Sequence, residues 1–263
     1  MSSDARDLLV PSGRRVIVTG ALGGLGRAIV ALLAGCGCTV GICDVAVEGD
    51  LALAPDIAKN VRGRAAFDVR DRRAVEHGVA HLVGALGGCD AVVANAGVVD
   101  TIHRAERFPE EDWRTDIETN LSGQFHVVQA AFDALVASGD GRIVVISSAA
   151  VATGLPGQVA YTSAKAGLVG MARTLASEWA PHGIRCNVLM PGMIATPKVK
   201  ALPEKVRESL RRGIPLQRFG EPAELAAAVA FLLSPAAAYI TGTILRVDGG
   251  FGLNTAGLYR QQS

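Results

Sequence analysis

Tyr161 and Lys165 stand four residues apart in "YTSAK". On a helix, that spacing puts the phenol and the ammonium on one face, one turn apart. The chemistry open to such a pair is proton transfer. A free tyrosine has a pKa of about 10, too high for a base at neutral pH, and a neighbouring ammonium favours the phenolate and lowers that value. With three tyrosines and five lysines in 263 residues, random placement gives roughly 0.06 such pairs, so the pair alone is only suggestive.

A second constellation lies near the N-terminus. "VTGALGGLGRA" places Gly20, Gly23, Gly24, Leu25 and Gly26 between an apolar run and a helical one. Glycines at 20, 24 and 26 remove side chains from a tight turn and let the backbone approach an anion. The N–H groups and dipole of a helix N-terminus favour negative charge there. Asp44 ends the next apolar run, "TVGICD", and can accept bonds from both hydroxyls of an adenosine ribose. The same carboxylate repels a 2′-phosphate by roughly 4 kcal/mol per unit charge at about 4 Å and an effective dielectric of about 20, before salt screening. This predicts NAD(H) rather than NADP(H). Arg27, in the first helical turn, is the opposing feature; we read it as a solvated helix-surface residue.

These residues need elements to hold them. Short apolar runs at 15–20, 39–44, 63–69, 90–97, 141–148, 184–190 and 243–249 read as strands. Helical spacing separates them, with one long helix over 110–136 and others over 71–86, 159–180 and 221–233. Strands alternating with helices predict right-handed crossovers and a mostly parallel seven-stranded sheet covered on both faces, a doubly wound α/β fold of three layers. The whole chain, 1–263, reads as one domain. The segment 192–220 is irregular, charged and broken by Pro197, Pro203 and Pro215, and is expected to be a lid over the C-terminal edge of the sheet.

Bulk composition narrows the function classes. There are 26 basic and 25 acidic residues, a formal net charge of +1, so electrostatics favours neither nucleic acid nor an anionic membrane. No apolar run spans a bilayer and the N-terminus lacks a signal-peptide core, which predicts a cytoplasmic protein. Cys36, Cys38, Cys43, Cys89 and Cys186 have no matching His/Cys cluster, so no metal site is expected and the thiols read as small buried groups.

Together the motifs resemble those of the short-chain dehydrogenase/reductase family from about Arg15 to Gly250. "TGALGGLG" is similar to the family's T-G-x-x-x-G-x-G, and "YTSAK" to its Y-x-x-x-K. "DV" at Asp68 and Val69 resembles the pair beside the adenine ring. "ANAG", with Asn95, Ala96 and Gly97, resembles N-N-A-G, Ala94 replacing the first Asn. "PGMIAT" resembles the P-G-x-x-x-T beside the nicotinamide, which places Pro191, Gly192, Ile194 and Thr196 on the cofactor. Asn120 and Ser148 match the family's catalytic Asn and Ser. The resemblance implies a Rossmann-type fold and a reaction between a secondary alcohol and a ketone. In it, Tyr161 takes or gives the proton, Lys165 also holds the nicotinamide ribose, and Ser148 fixes the substrate oxygen. Asn120 holds a water next to Lys165. Ala150, Val151, Leu155, Gln158 and Met193, with Ser148 and Tyr161, are expected to line a largely apolar pocket, Gln158 as its polar handle.

Two other readings stand beside this one. Reductases of 3-oxoacyl groups on an acyl carrier protein generally prefer NADPH and dock the carrier through basic side chains. Gly139, Asp140 and His182 stand where such relatives often place them, which weighs against a carrier. A catalytically silent nucleotide-binding regulator is weighed down by the intact set Asn120, Ser148, Tyr161 and Lys165. The family resemblance also implies a homotetramer built on helices 110–136 and 159–180 and on the last strand and helix 221–233; Phe125, Val128, Phe132 and Val136 form a stripe that fits such a contact or an ordinary core. The tail 251–263, with Phe251, Leu253, Leu258 and Tyr259, is expected to pack rather than fray.

Overall fold

The computed structural model describes residues 11–47 and 51–253. Seven strands form one sheet: β1 (Arg15–Thr19), β2 (Thr39–Asp44), β3 (Val61–Ala66), β4 (Ala91–Ala94), β5 (Arg142–Ile146), β6 (Arg185–Pro191) and β7 (Ile244–Val247). Their order is β3-β2-β1-β4-β5-β6-β7, and every pair is parallel. The apolar runs reflect burial on both faces, as parallel sheets require. β1 is fully buried over Val16–Val18, and β4 and β5 throughout.

Between β1 and β2 runs α1 (Gly24–Gly35); α2 (Pro55–Ala58) and α3 (Arg72–Leu86) flank β3. After β4 come α4 (Glu110–Ile117), a π-helical segment Glu118–Ser122, α5 (Gly123–Ala130) and α6 (Phe132–Ala137). Then follow α7 (Ala150–Thr153), α8 (Val159–Trp179), α9 (Pro197–Lys200), α10 (Glu204–Arg212) and α11 (Pro222–Leu233). One core lies under α3, α5 and α8, with Val79, Leu82, Val127 and Leu168 buried together; the other lies under α1 and α11, with Ile29, Leu33, Leu225 and Val229. Each such side chain contributes about 1.5–3 kcal/mol through burial. The described residues therefore form three layers.

The long helix expected over 110–136 is instead three helices and a π segment. A reason lies at Asn120 inside that segment. Its amide is held by the Val98 backbone, accepting from the N–H at 3.1 Å and donating to the carbonyl at 3.0 Å. A π-helical turn inserts an extra residue and re-aims the side chain, a common device at functional sites. The stripe offered as an interface is mostly core. Val128 is fully buried, Phe132 packs on Trp179 at 4.8 Å between ring centroids, and Val136 packs on the inner cluster; Phe125 alone of the four is exposed. The segment 192–220 is not structureless: α9 and α10 occupy it, and Ile194 pairs with Gly220 at its base.

The expectation for the tail falls mainly on residues 254–263, which lie outside the described residues. Phe251 is half-buried, and its carbonyl accepts from Arg246. Among the described residues, no helix is long and apolar enough to cross a membrane.

Candidate active site

The strand order sets the place of the site. The chain winds outward from β1 to β3, returns to β4 beside β1, then winds the other way, which opens a crevice at the C-terminal ends of β1 and β4. Thr19, at the end of β1, ties the two strands together. Its hydroxyl accepts from the N–H groups of Asn95 and Ala96, both at 2.9 Å. Asn95 returns the link by donating its side-chain N–H to the carbonyls of Thr19 at 2.9 Å and Gly20 at 3.1 Å. Thr19 was visible in the sequence only as the first letter of a motif, because its work is a contact 76 residues away.

The glycine turn fits a cradle for an anionic group. Gly20 has φ +60°, and a Cβ there would lie 2.8 Å from Ala96 Cα. At Gly26 a Cβ would meet the Gly20 carbonyl oxygen at 2.1 Å. At Gly24 it would meet Thr196 at 2.9 Å, so the glycine lets the base of the 192–220 segment rest on the turn. Gly23 caps α1 with extended backbone and no side-chain acceptor, leaving the first-turn N–H groups for a ligand.

A groove of about 670 Å³ runs from this turn. Gly20, Gly23, Gly24, Leu25 and Gly26 line it together with Asp44, Asp68 and Val69 and with Asn95, Ala96 and Gly97. The Asp44 carboxylate is held in place by backbone N–H groups of Leu22 and Val45, each at 2.9 Å. Arg27 does not line the groove; its Nε donates to the Leu22 carbonyl at 2.8 Å. Asp68 is bound by Arg70, whose side-chain hydrogen bond holds the carboxyl below its ordinary range. Lys198 of α9 pairs with Asp100 of the loop after β4.

The groove opens into a hollow of about 240 Å³ that contains the proton-transfer residues. Asn120, Ser148, Tyr161 and Lys165 line it together with Pro191, Gly192, Met193, Ile194, Thr196 and Leu25. Three parts of the fold supply the four side chains: the π segment carries Asn120, the turn after β5 carries Ser148, and α8 carries both Tyr161 and Lys165. Ser148 follows β5 and lines the hollow with Tyr161, and its Oγ accepts from the Ala150 N–H at 3.2 Å. Ser147, its neighbour, points inward and donates to the Lys165 carbonyl at 2.8 Å, which ties α8 to β5. Lys165 is buried, donates to the Ile146 carbonyl at 3.0 Å, and has its Nζ 5.8 Å from the centre of the Tyr161 ring. Gly97 makes room here: a Cβ would lie 2.6 Å from Asn120 Oδ1 and 3.2 Å from Lys165 Nζ.

The electrostatics differ from the simple pairing expected of YTSAK. Burial pushes the Tyr161 phenol above its ordinary pKa, while the Ser148 hydroxyl pulls it down and the Asp116 carboxylate pushes it up. Burial also lowers Lys165 from 10.5 to about 8. The ammonium therefore pays its own desolvation and is a weaker activator than spacing alone suggested.

The expected substrate lining divides. Ser148, Tyr161 and Met193 face the hollow. Leu155 does not: Gly154, at φ +72°, turns the chain away, and Leu155 sits 43% exposed in a separate hollow with His103 and Val159. Gln158 is buried and donates to the Val99 carbonyl at 3.2 Å, so its amide N–H is engaged within the protein. Ala150 is buried and Val151 half-buried on α7, and neither is among the residues lining the hollow. Four cysteines are buried and Cys36 is intermediate; burial raises Cys38, Cys89 and Cys186 to about 12.

Comparison with known proteins adds to this geometry. The family model described as enoyl-(acyl carrier protein) reductase matches residues 20–252. A 3-oxoacyl-[acyl-carrier-protein] reductase of Thermotoga maritima is 38% identical over 242 residues, covering 90% of this chain and 97% of the relative. A (3R)-3-hydroxyacyl-CoA dehydrogenase of Homo sapiens is 38% identical over 248 residues, covering 89% and 94%. A solved structure of a putative short-chain alcohol dehydrogenase from Sinorhizobium meliloti superposes with a TM-score of 0.86 at 36% identity, covering 93% of this chain and 98% of that one. With a parallel Rossmann-type sheet, a glycine cradle and the Ser–Tyr–Lys set on one hollow, the chain belongs to the short-chain dehydrogenase/reductase family, whose members are oxidoreductases working with a nicotinamide cofactor.

Proposed function

We propose that the chain is an NAD(H)-dependent oxidoreductase interconverting a secondary alcohol and a ketone, with 3-hydroxyacyl and 3-oxoacyl groups as its substrate class. The observation that carries this reading is the adjoining of two hollows: Asp44 lines the groove, Ser148, Tyr161 and Lys165 line the hollow, and Leu25, Asn95, Gly97 and Thr196 line both. The names of the Thermotoga and human relatives support the acyl class.

The bound cofactor supplies the hydride acceptor or donor. The chain's own residues do the rest. The glycine turn and the α1 N-terminus hold the phosphates, and Asp44 accepts from the ribose hydroxyls. Ser148 fixes the substrate oxygen beside the phenol. Tyr161 receives the alcohol proton in oxidation and returns it in reduction.

Asp44 also supplies the test. The rate constant kcat/KM with NAD⁺ should exceed that with NADP⁺, and Asp44→Ala should lose most of that preference. The measurement is a cofactor comparison on a panel of 3-hydroxyacyl-CoA, carrier-linked and free secondary alcohols. A wild-type preference for NADP⁺ sinks the NAD assignment and favours the second reading, a carrier-linked 3-oxoacyl reductase using NADPH. That second reading draws on the Thermotoga relative, and against it stands that Asp140 occupies a position where a basic docking residue is expected, its carboxylate paired within the protein with Arg14 at 2.6 Å and Arg142 at 2.5 Å.

The same reading includes a homotetramer in the cytoplasm. Trp113, Phe125 and Val159 leave large apolar surface exposed on α4, α5 and α8, where a second copy would cover it. Light scattering at micromolar concentration should report four chains; a monomer contradicts the assembly.

A further inference from the structure

One buried ionisable group near the hollow has no part in the chemistry above. Asp116, on α4, is fully buried. One carboxylate oxygen accepts from the Thr101 hydroxyl at 2.5 Å, and the other, Oδ1, has no hydrogen-bond partner. A carboxylate taken from water with one oxygen unsatisfied is costly, and this one lies one turn before Asn120 on an element packed against α8. Helix α8 carries Tyr161 and, beside it, Thr162, whose buried hydroxyl is also without a partner.

We propose that Asp116 is a positioning residue that acts through Tyr161: its half-satisfied carboxylate, held by Thr101 in the low-dielectric seam between α4 and α8, favours the neutral phenol over the phenolate. The charged and titratable groups around the pair fit this direction. Ser148 from the end of β5, Lys165 from its own helix and Asp116 from α4, which packs on that helix, are the polar groups that act on Tyr161. Asp116 meets the Thr101 hydroxyl and, on its own helix, Asp112, which is bridged to His103 at 2.7 Å. Among the described residues no ion pair involves Asp116, whose hydrogen bond is the one from Thr101. The Asp116 carboxylate opposes a second negative charge on Tyr161, in agreement with the upward push on the phenol.

The consequence is a division of labour by pH. Reduction needs the phenol and oxidation needs the phenolate. Asp116 extends reduction to higher pH and delays the rise of oxidation. Its second effect is geometric, since the Thr101 bond pins the loop that carries Val98 and Val99 along the groove.

The test compares Asp116→Asn with Thr101→Val in the full chain. Asp116→Asn keeps the shape and removes the charge. It should shift the alkaline limb of reduction and the acid limb of oxidation downward by about 0.5–1 pH unit, a threefold to tenfold change in the phenolate-to-phenol ratio. Thr101→Val loosens the loop but keeps the charge, and should change KM without moving either limb downward. Tyr161 ionisation is also read without turnover, as the difference in ultraviolet absorbance titration between the protein and its Tyr161→Phe variant, each with and without Asp116→Asn. That readout separates this inference from the substrate assignment it accompanies: inactivity on every alcohol tested would count against the proposed function alone. Melting temperature and NADH binding confirm that Asp116→Asn is folded. An unchanged or raised Tyr161 titration in Asp116→Asn, or an equal downward shift in Thr101→Val, overturns the proposal.

Discussion

Tyr161→Phe should lower kcat by 10²- to 10⁴-fold, roughly 3–5 kcal/mol of barrier, while leaving NADH affinity and the fold nearly unchanged. The change deletes one oxygen. What it removes is the phenol hydroxyl, which lines the hollow with Ser148 and Lys165 and carries the proton in the proposed reaction. Because burial raises the phenol, oxidation by the wild type should climb with pH through the neutral range while reduction holds until the phenol ionises. The variant should lose that pH dependence along with its rate. A variant retaining more than a tenth of wild-type kcat would show that another group moves the proton.

Lys165→Met should separate stability from activity. The folded pKa of Lys165 is about 8 against an ordinary 10.5, and the cause is burial. A lowered lysine pKa means that the folded protein gives up its proton before the unfolded chain does. Below pH 8 both states hold the proton, and the buried ammonium costs about 3 kcal/mol. Between about pH 8 and 10.5 the unfolded chain binds more protons, so wild-type stability rises with pH, and above that window the penalty is gone. Methionine carries no such penalty and fills a similar volume, although it leaves the Ile146 carbonyl without its 3.0 Å donor, a loss of about 1–3 kcal/mol. The net expectation is a variant at least as stable as wild type at pH 7, with melting raised by up to a few degrees, and an advantage that shrinks as pH rises toward 10. Its kcat should fall by 10² or more, since the site loses the ammonium beside the phenol. Calorimetry across pH 6–10 checks the first part and steady-state kinetics the second. A variant melting well below wild type at pH 7 would mean that the ammonium is stabilised by contacts stronger than the Ile146 carbonyl.

The parts of this protein that could be read directly from the chain are those encoded by neighbours in sequence. The spacing of Tyr161 and Lys165 needs only a helix, and α8 supplies it. The glycine turn needs only a strand before it and a helix after it, and β1 and α1 flank it. Asp44 ends β2 as the apolar run indicated. Alternating runs also sufficed for a seven-stranded parallel sheet, because burial on both faces leaves a continuous apolar signature. Element ends were less legible. Strand β4 stops at Ala94, before the NAG turn, because Asn95 leaves the ladder to bond the carbonyls of Thr19 and Gly20.

What the sequence determined by itself is the local chemistry: a glycine turn for an anion, an acid at the end of the second strand, and a phenol and an ammonium on one helical face. Only the tertiary structure decided how those pieces act on each other. It broke the 110–136 helix at a π segment so that Asn120 could grip Val98, and it turned Leu155 out of the hollow at Gly154. It buried Lys165 deeply enough to weaken its charge and set Asp116 against the helix of Tyr161. The physical reason is that a pKa, a pocket wall or a broken helix depends on desolvation and on partners many residues away. Burial at a given position is the sum of all the packing around it, whereas spacing along a helix is a property of four residues.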